Sequence, residues 1–320
     1  MPEVKRITLS WRKEAVGGEI SVRPTIRPDD EYILGQAQHL VLLIHGYNND
    51  TEDAQKAYDG FHARQRDLAS GESYGNGRVF VEVYWPGDAA WGIASFLFYM
   101  GSIRHAVQTA DRLADYLAEH ARDSARIDIV AHSMGCRLTT ELLLALKRLK
   151  ENQPNAPQIE RIVFMAGAIP TFMLQHRNPP RRLRPSYDRV LREGARSLYS
   201  GADIVLSFAF PAGQTLAPGA EGFLPTALGH ARWTDPTAPY NLDQQQNPDA
   251  GHGDYWGWNI KPKPLQCANK AAQEVRSYLQ FPSAGSRTMS DRALAENNVL
   301  EARTGETRRE ITGRDIPIYA

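Results

Sequence analysis

The segment IDIVAHSMGCRL, residues 127–138, drives a β-branched, apolar run straight into a His-Ser-Met-Gly turn, and a helical pattern begins at once. A serine raised on so sharp a strand-to-helix turn can attack a carbonyl carbon. The turn needs small residues two places to either side, because strand and helix nearly collide there, and Ala131 and Gly135 meet that need. Ser133 can equally be a plain helix N-cap, its oxygen accepting a bond from an orphan backbone N–H. A nucleophile would also need donors for the developing oxyanion. One is the N–H of the following residue, Met134; the other comes from a loop at an earlier strand end. The run His45-Gly46-Tyr47-Asn48-Asn49 occupies that place, with Gly46 permitting a turn that aims the Tyr47 N–H inward. The same run also reads as an ordinary strand-ending turn with a satisfied histidine.

These residues need elements to carry them. Residues 4–10 and 19–26 read as short strands with Gly17-Gly18 at the turn between them. The continuous apolar run at 40–44 suggests a strand covered on both faces, as in a parallel sheet. Residues 53–69 read as a polar helix, and 78–84 (RVFVEVY) as a strand halted by Trp85-Pro86-Gly87. Ile103, Val107, Ala110, Ala114 and Leu117 keep helical spacing over 102–121. A strand at 126–131 leads into a helix marked by Leu138, Leu142, Ala145 and Leu149, and further strands are read at 159–166, 195–200 and 240–243. Ala268, Ala272, Val275 and Leu279 mark a closing helix. Strands alternating with helices point to a mostly parallel α/β sheet with right-handed crossovers.

Composition narrows the function classes. Lys plus Arg and Asp plus Glu both number 37, so no global field draws in nucleic acid or a membrane surface. The cysteines, Cys136 and Cys267, belong to no array of the kind that holds zinc, and no metal or organic cofactor is implied. The first twenty residues lack the apolar core of a signal peptide, and the chain is read as cytoplasmic and reduced, with signal-independent export left open. The longest apolar stretch, residues 89–101, falls well short of the ~20 residues that span a bilayer. Residues 283–320 are charged and poorly periodic, which reads as a tail or an arm for a protein partner, after a single domain over 1–282 that begins with a β extension at 1–37.

Taken in order, HGYNN, WPGD, AHSMG, YSGADIVLS and GHGDYW resemble the α/β-hydrolase superfamily, and more narrowly a bacterial group of such hydrolases with ill-defined substrates that carry HGYNN and AHSMG. The resemblance covers roughly residues 38–282 and implies the chain order Ser, Asp, His. It makes Asp203 the acid, ahead of Asp243 and Asp235, although Asp203 could instead cap a short helix starting at Ile204. It makes His252 the base, ahead of His230, whose alternative role is a loop hydrogen bond. His132 and His45 occupy positions that shape the site and are assigned no proton transfer. The implied activity is a serine esterase acting on a small or lipid-like carboxylic ester. Phospholipase and thioesterase chemistry on the same triad, and a catalytically silent binding protein on the same fold, are the alternatives.

Two segments are candidates for substrate choice. Residues 85–100 hold Trp91, Phe96, Phe98 and Tyr99 among glycines and would either line an acyl pocket or pack in the core, with membrane contact a third reading. Residues 171–194 lie where such enzymes often insert a cap. Their arginines, Arg181, Arg182 and Arg184 among them, form either a solvated loop or a rim for an anionic headgroup.

Overall fold

The run HLVLLI, whose apolar positions do not alternate, forms a strand buried at every position, β3 (His39–Ile44). A computed structural model of the chain describes residues 4–14, 19–47, 49–69, 74–75, 77–87, 95–121, 125–174, 190–211, 226–234, 238–239 and 241–281. Ahead of β3 come β1 (Lys5–Arg12), β2 (Ile20–Thr25) and α1 (Pro28–Gln36). After it follow α2 (Thr51–Leu68), β4 (Val79–Tyr84), α3 (Ser95–His120), β5 (Arg126–His132), α4 (Met134–Asn152), β6 (Ile159–Met165), β7 (Leu191–Tyr199), β8 (Leu242–Gln246) and α5 (Pro262–Tyr278).

The strands form one eight-stranded sheet in the order β2-β1-β4-β3-β5-β6-β7-β8. Only the β1–β2 pair is antiparallel; every other neighbour runs parallel. The N-terminal strands therefore extend the central sheet itself, with β1 registered residue for residue on β4 from Lys5↔Val79 to Ser10↔Tyr84. The order reverses at β3, whose neighbours are β4 on one side and β5 on the other. Because crossovers between parallel strands are right-handed in nearly all sheets, this order sends α2 to one face and α3 and α4 to the other. The helix contacts agree, α2 packing with α5 and α3 with α4.

Burying both faces of the sheet brings some polar groups inside, and each needs a partner. Glu82, buried in β4, accepts from Arg6 Nε at 2.7 Å and from His62 Nε2 at 3.1 Å, which ties β1 and α2 to the same strand. At the amino end of the sheet Asp128 accepts from His39 Nε2 at 2.7 Å and from the Arg161 N–H at 3.1 Å.

Several boundaries differ from the sequence reading, each for a local reason. Helix α1 is weakly amphipathic, with Leu34 its one buried apolar residue, so periodicity misses it. Its signals are Pro28 at the first turn and the acids Asp29, Asp30 and Glu31 beside the positive end of the dipole. Strand β7 begins at Leu191 rather than 195, and so takes up the end of the 171–194 segment; Glu193-Gly194 hides this in the sequence. Gly194 has φ +131°, and a Cβ there would lie 2.4 Å from the Asn241 carbonyl. Strand β8 runs to Gln246 because Gln244 satisfies a neighbouring segment, accepting from the Trp233 N–H at 2.7 Å and donating to the Trp233 carbonyl at 3.0 Å. Helix α3 begins at Ser95, seven residues ahead of the sequence reading. Among the described residues no helix is long and apolar enough to cross a membrane.

A short strap, residues 227–229, seats the loop after β7. It donates from Leu228 and Gly229 to the carbonyls of Ile169 and Gly167, at 2.9 and 3.0 Å, and the Gly229 carbonyl accepts from the Ser200 N–H at 3.0 Å. A Cβ on Gly229 would lie 2.2 Å from the Gly167 nitrogen, backbone against backbone. Gly229→Ala is therefore expected to destabilise the protein by roughly 1–3 kcal/mol. Gly201→Ala, where a Cβ meets nothing within 4 Å, should change stability by no more than about 0.5 kcal/mol. Urea midpoints of the two variants against the native protein check this, and equal midpoints would contradict the close approach.

Candidate active site

The carboxyl ends of β3, β5, β7 and β8 meet at Ser133. Its backbone sits at φ 54° and ψ −123°, a region that holds a non-glycine residue at a cost of about 1–3 kcal/mol. Surrounding bonds keep it there. The Ser133 N–H donates to the Met165 carbonyl at 3.0 Å, and the Ser133 carbonyl accepts from the N–H groups of Cys136 at 3.0 Å and Ala168 at 3.1 Å. Strand and helix pass closely enough that a Cβ on Gly135 would lie 2.4 Å from the His45 carbonyl. The Ser133 side chain makes no capping bond to α4, so the N-cap reading is not what the geometry realises.

The Ser133 hydroxyl is paired with His252 Nε2, 2.7 Å from Oγ. His252 Nδ1 stands 2.8 Å from Asp203 Oδ2. A carboxylate only accepts, so Nδ1 carries the proton, which leaves the Nε2 lone pair to accept from the serine. Ser133 is 4 % exposed, Asp203 fully buried, and the His252 side chain 21 % exposed, so the relay is open to solvent at the imidazole.

Asp203 divides its carboxylate. Oδ2 serves His252, while Oδ1 accepts from the Leu206 N–H at 3.0 Å and holds the short helical turn at Val205–Ala209. The carboxylate thus meets the imidazole through one oxygen and the turn through the other. The runners-up lie elsewhere. Asp243 is bound by Arg196 at 2.6 and 2.7 Å, and Asp235 lies outside the described residues. His230 Nδ1 donates at 3.2 Å to Ser207 Oγ, whose own proton goes to the Asp203 carbonyl at 2.7 Å, so His230 supports the acid's turn.

Gly46 and Tyr47 arrive from the end of β3 and Met134 opens α4. The role of Gly46 is spatial rather than conformational. A Cβ there would lie 2.9 Å from both Ser133 Cβ and His132 Nδ1, and its φ lies outside the left-handed region. The loop is fixed from several sides. His45 is fully buried, stacks on Trp85 with centroids 5.7 Å apart, donates from Nδ1 to the Gly46 carbonyl at 2.8 Å and accepts at Nε2 from the Trp85 N–H at 3.3 Å. Burial, with Arg12 nearby, holds the His45 imidazole well below its usual pKa and therefore neutral. Tyr58 accepts from the His45 N–H at 3.0 Å, and the Arg12 guanidinium donates to the Asn49 carbonyl at 2.5 Å. Neither Arg12 nor Tyr58 carries a motif in the sequence. Their roles depend on β1 and α2 lying against the end of β3, which only the folded chain reveals.

His132, the last residue of β5, is buried and donates from Nε2 to the His252 carbonyl at 2.7 Å. Burial, reinforced by the neighbouring His252, pushes its pKa down to about 3. Tyr255 and Trp256, just past His252, pack their rings 5.9 and 6.0 Å from the His132 ring. Of the substrate candidates, Trp91 lies outside the described residues, and Phe96 falls on α3 with its side chain outside the description, as do residues 175–189, which include Arg181, Arg182 and Arg184.

The chain adopts the α/β-hydrolase fold, a mostly parallel sheet with helices on both faces and a serine on the turn between β5 and α4. Residues 31–175, from α1 to the turn after β6, match the family model described as "Alpha/beta hydrolase of unknown function (DUF900)". No curated protein matches the sequence. Among solved structures, the chain is similar to a putative hydrolase from Agrobacterium vitis S4, with 15% identity over 75% of this chain and 88% of that one and a TM-score of 0.41. It is also similar to an esterase from the bacterial hormone-sensitive lipase family, at 14% identity over 76% and 78% with a TM-score of 0.41. A third likeness is to RedJ, a thioesterase from the prodiginine biosynthetic pathway in Streptomyces coelicolor, at 15% identity over 75% and 86% with a TM-score of 0.40.

Three buried imidazoles, His45, His62 and His132, have pKa values depressed by burial, that of His132 from 6.5 to about 3. Between those two values the unfolded chain binds protons that the folded chain refuses, so stability is complete above the ordinary histidine value and is lost as pH falls toward the folded one. Urea midpoints should therefore drop steadily from about pH 7 to about pH 4, and His132→Gln should make that slope shallower. A native midpoint flat across the range would show that these imidazoles are not held neutral.

Proposed function

We propose that the chain is a serine hydrolase that cleaves a carboxylic ester through an acyl-enzyme intermediate. The observation that carries this reading is the unbroken relay of Ser133 Oγ to His252 Nε2 at 2.7 Å and His252 Nδ1 to Asp203 Oδ2 at 2.8 Å. Ser133 Oγ attacks the ester carbonyl carbon as His252 Nε2 takes its proton; the carbonyl π electrons move onto oxygen, and the N–H groups of Tyr47 and Met134 receive the oxyanion. Asp203 holds the imidazole in the productive tautomer and stabilises the imidazolium without taking its proton. Collapse of the tetrahedral species breaks the bond to the alkoxide, which leaves with the proton from Nε2. Water, deprotonated by the same nitrogen, then attacks the acyl-serine, and collapse of the second tetrahedral species breaks the bond to Ser133 Oγ, which takes the proton back from Nε2 as the acid leaves.

The neutral His45 and His132 support this reading, because neither adds a positive charge that would oppose the imidazolium forming at His252. A cytoplasmic setting fits as well, since Cys136 and Cys267 are buried free thiols.

A fluorophosphonate probe should label the native protein at Ser133, and Ser133→Ala should abolish both labelling and ester turnover. His252→Ala should lower kcat by about 10⁴-fold or more, leaving what oxyanion donors and binding supply. His230→Ala should cost no more than about tenfold, since it touches the acid's turn through Ser207. A panel of short and long acyl esters, thioesters and phospholipids ranks the substrates. Absence of labelling together with absence of turnover on the whole panel would leave a binding protein on a hydrolase fold.

A further inference from the structure

His132 directly precedes the nucleophile, yet its side chain reaches the other partner of the relay. Its Nε2–H donates to the backbone carbonyl of His252 at 2.7 Å, and the two rings lie 5.2 Å apart at 48°. The loop bearing His252 is tied to β7 at its start, where the Asn247 N–H donates to the Tyr199 carbonyl at 2.8 Å, and around His252 it closes on itself, with the Gly251 N–H donating to Asp254 Oδ2 at 2.9 Å and the Asp254 N–H to the Gly251 carbonyl at 3.1 Å. Among the described residues, the bond from His132 is what joins the backbone of His252 to the sheet. We propose that His132 is a positioning residue for the base: its Nε2–H clasps the His252 carbonyl to the end of β5, so that one strand end fixes nucleophile and imidazole together. This rests on the hydrolase reading of the relay.

The surroundings suit a fixed neutral donor. His132 Nδ1 is buried with no hydrogen-bond partner among the described residues and faces the Gly46 backbone, where a Cβ would lie 2.9 Å away. The ring is flanked by Tyr255 and Trp256, which leave it little room to flip. The titratable groups facing it are His252, Asp203, Tyr255 and His45, and burial holds its pKa down at about 3, so that it stays uncharged. A neutral imidazole whose Nδ1 has no donor or acceptor to satisfy keeps its single proton on Nε2, where the carbonyl is. The clasp therefore survives the cycle in which His252 gains and loses a charge.

Two amides separate clasping from filling space. The amide nitrogen of glutamine reproduces the place of Nε2, and that of asparagine the place of Nδ1, so His132→Gln should keep the bond and His132→Asn should lose it, though both are polar and buried. Fluorophosphonate labelling of Ser133 should proceed within about threefold of the native rate in His132→Gln. In His132→Asn it should be about 100-fold slower, the penalty of a base displaced by about 1 Å. Nitrogen-15 spectra of the native imidazoles should show His132 as the Nε2–H tautomer in slow exchange with solvent. The His252 Nδ1–H resonance should persist in His132→Gln and broaden in His132→Asn. Equal rates and equal His252 spectra in the two variants would overturn the proposal, as would an Nδ1–H tautomer or fast exchange at His132 in the native protein, a measurement that stands even where a variant fails to fold. If the native protein does not label at all, the hydrolase reading fails, and the His252 resonance in the two variants still decides the clasp.

Discussion

Everything at this site follows from the close passage of a strand and a helix at Ser133. The chain turns from β5 into α4 within one residue, at a backbone conformation a non-glycine side chain seldom adopts, and three hydrogen bonds to that residue's peptide groups hold it there. The turn thrusts Oγ out over the end of the sheet. It also leaves no volume at positions 46 and 135, where a Cβ would strike Ser133 Cβ or the His45 carbonyl. The need for small residues there is therefore a matter of space, and at Gly46 it has nothing to do with a glycine-only dihedral.

A second theme is the treatment of imidazoles. Four histidines lie at or near Ser133, and burial separates them. His45 and His132 are enclosed and held neutral, each with its proton directed at a backbone carbonyl. His252 faces solvent on one side and spans a hydroxyl and a carboxylate. His230 stands back against Ser207. One side chain is thereby used as strut, clasp, relay and support, and the difference lies in what faces each ring nitrogen and how much water reaches it.

The fold class was legible because parallel strands buried on both faces write themselves as unbroken apolar runs, and the helices between them keep their spacing. What the sequence hid were elements whose stability is contextual. Helix α1 is held by its proline start and by packing on α3 and β1 rather than by an apolar stripe. Strand β8 is written in glutamines and makes sense only beside Trp233. At the site, Ser133 could be picked out because its turn dictates its neighbours' sizes, whereas Asp203 and His252 depended on chain order, which cannot say that Asp243 belongs to Arg196. Arg12 and the reach of His132 left no trace at all, since a contact across 120 residues has no local signature.

The divided carboxylate of Asp203 has a stereochemical consequence. With one oxygen facing a peptide N–H and the other an imidazole N–H, both edges of the group look onto donors, and no torsional setting of the side chain presents anything but an acceptor to each. An amide of the same shape would be frustrated in either orientation, since its NH₂ must confront the turn at Leu206 or the proton on Nδ1. The first choice unravels the turn; the second drives the imidazole into the tautomer whose proton points at the serine. The backbone of one short turn thus selects the tautomer of a ring that belongs to another loop.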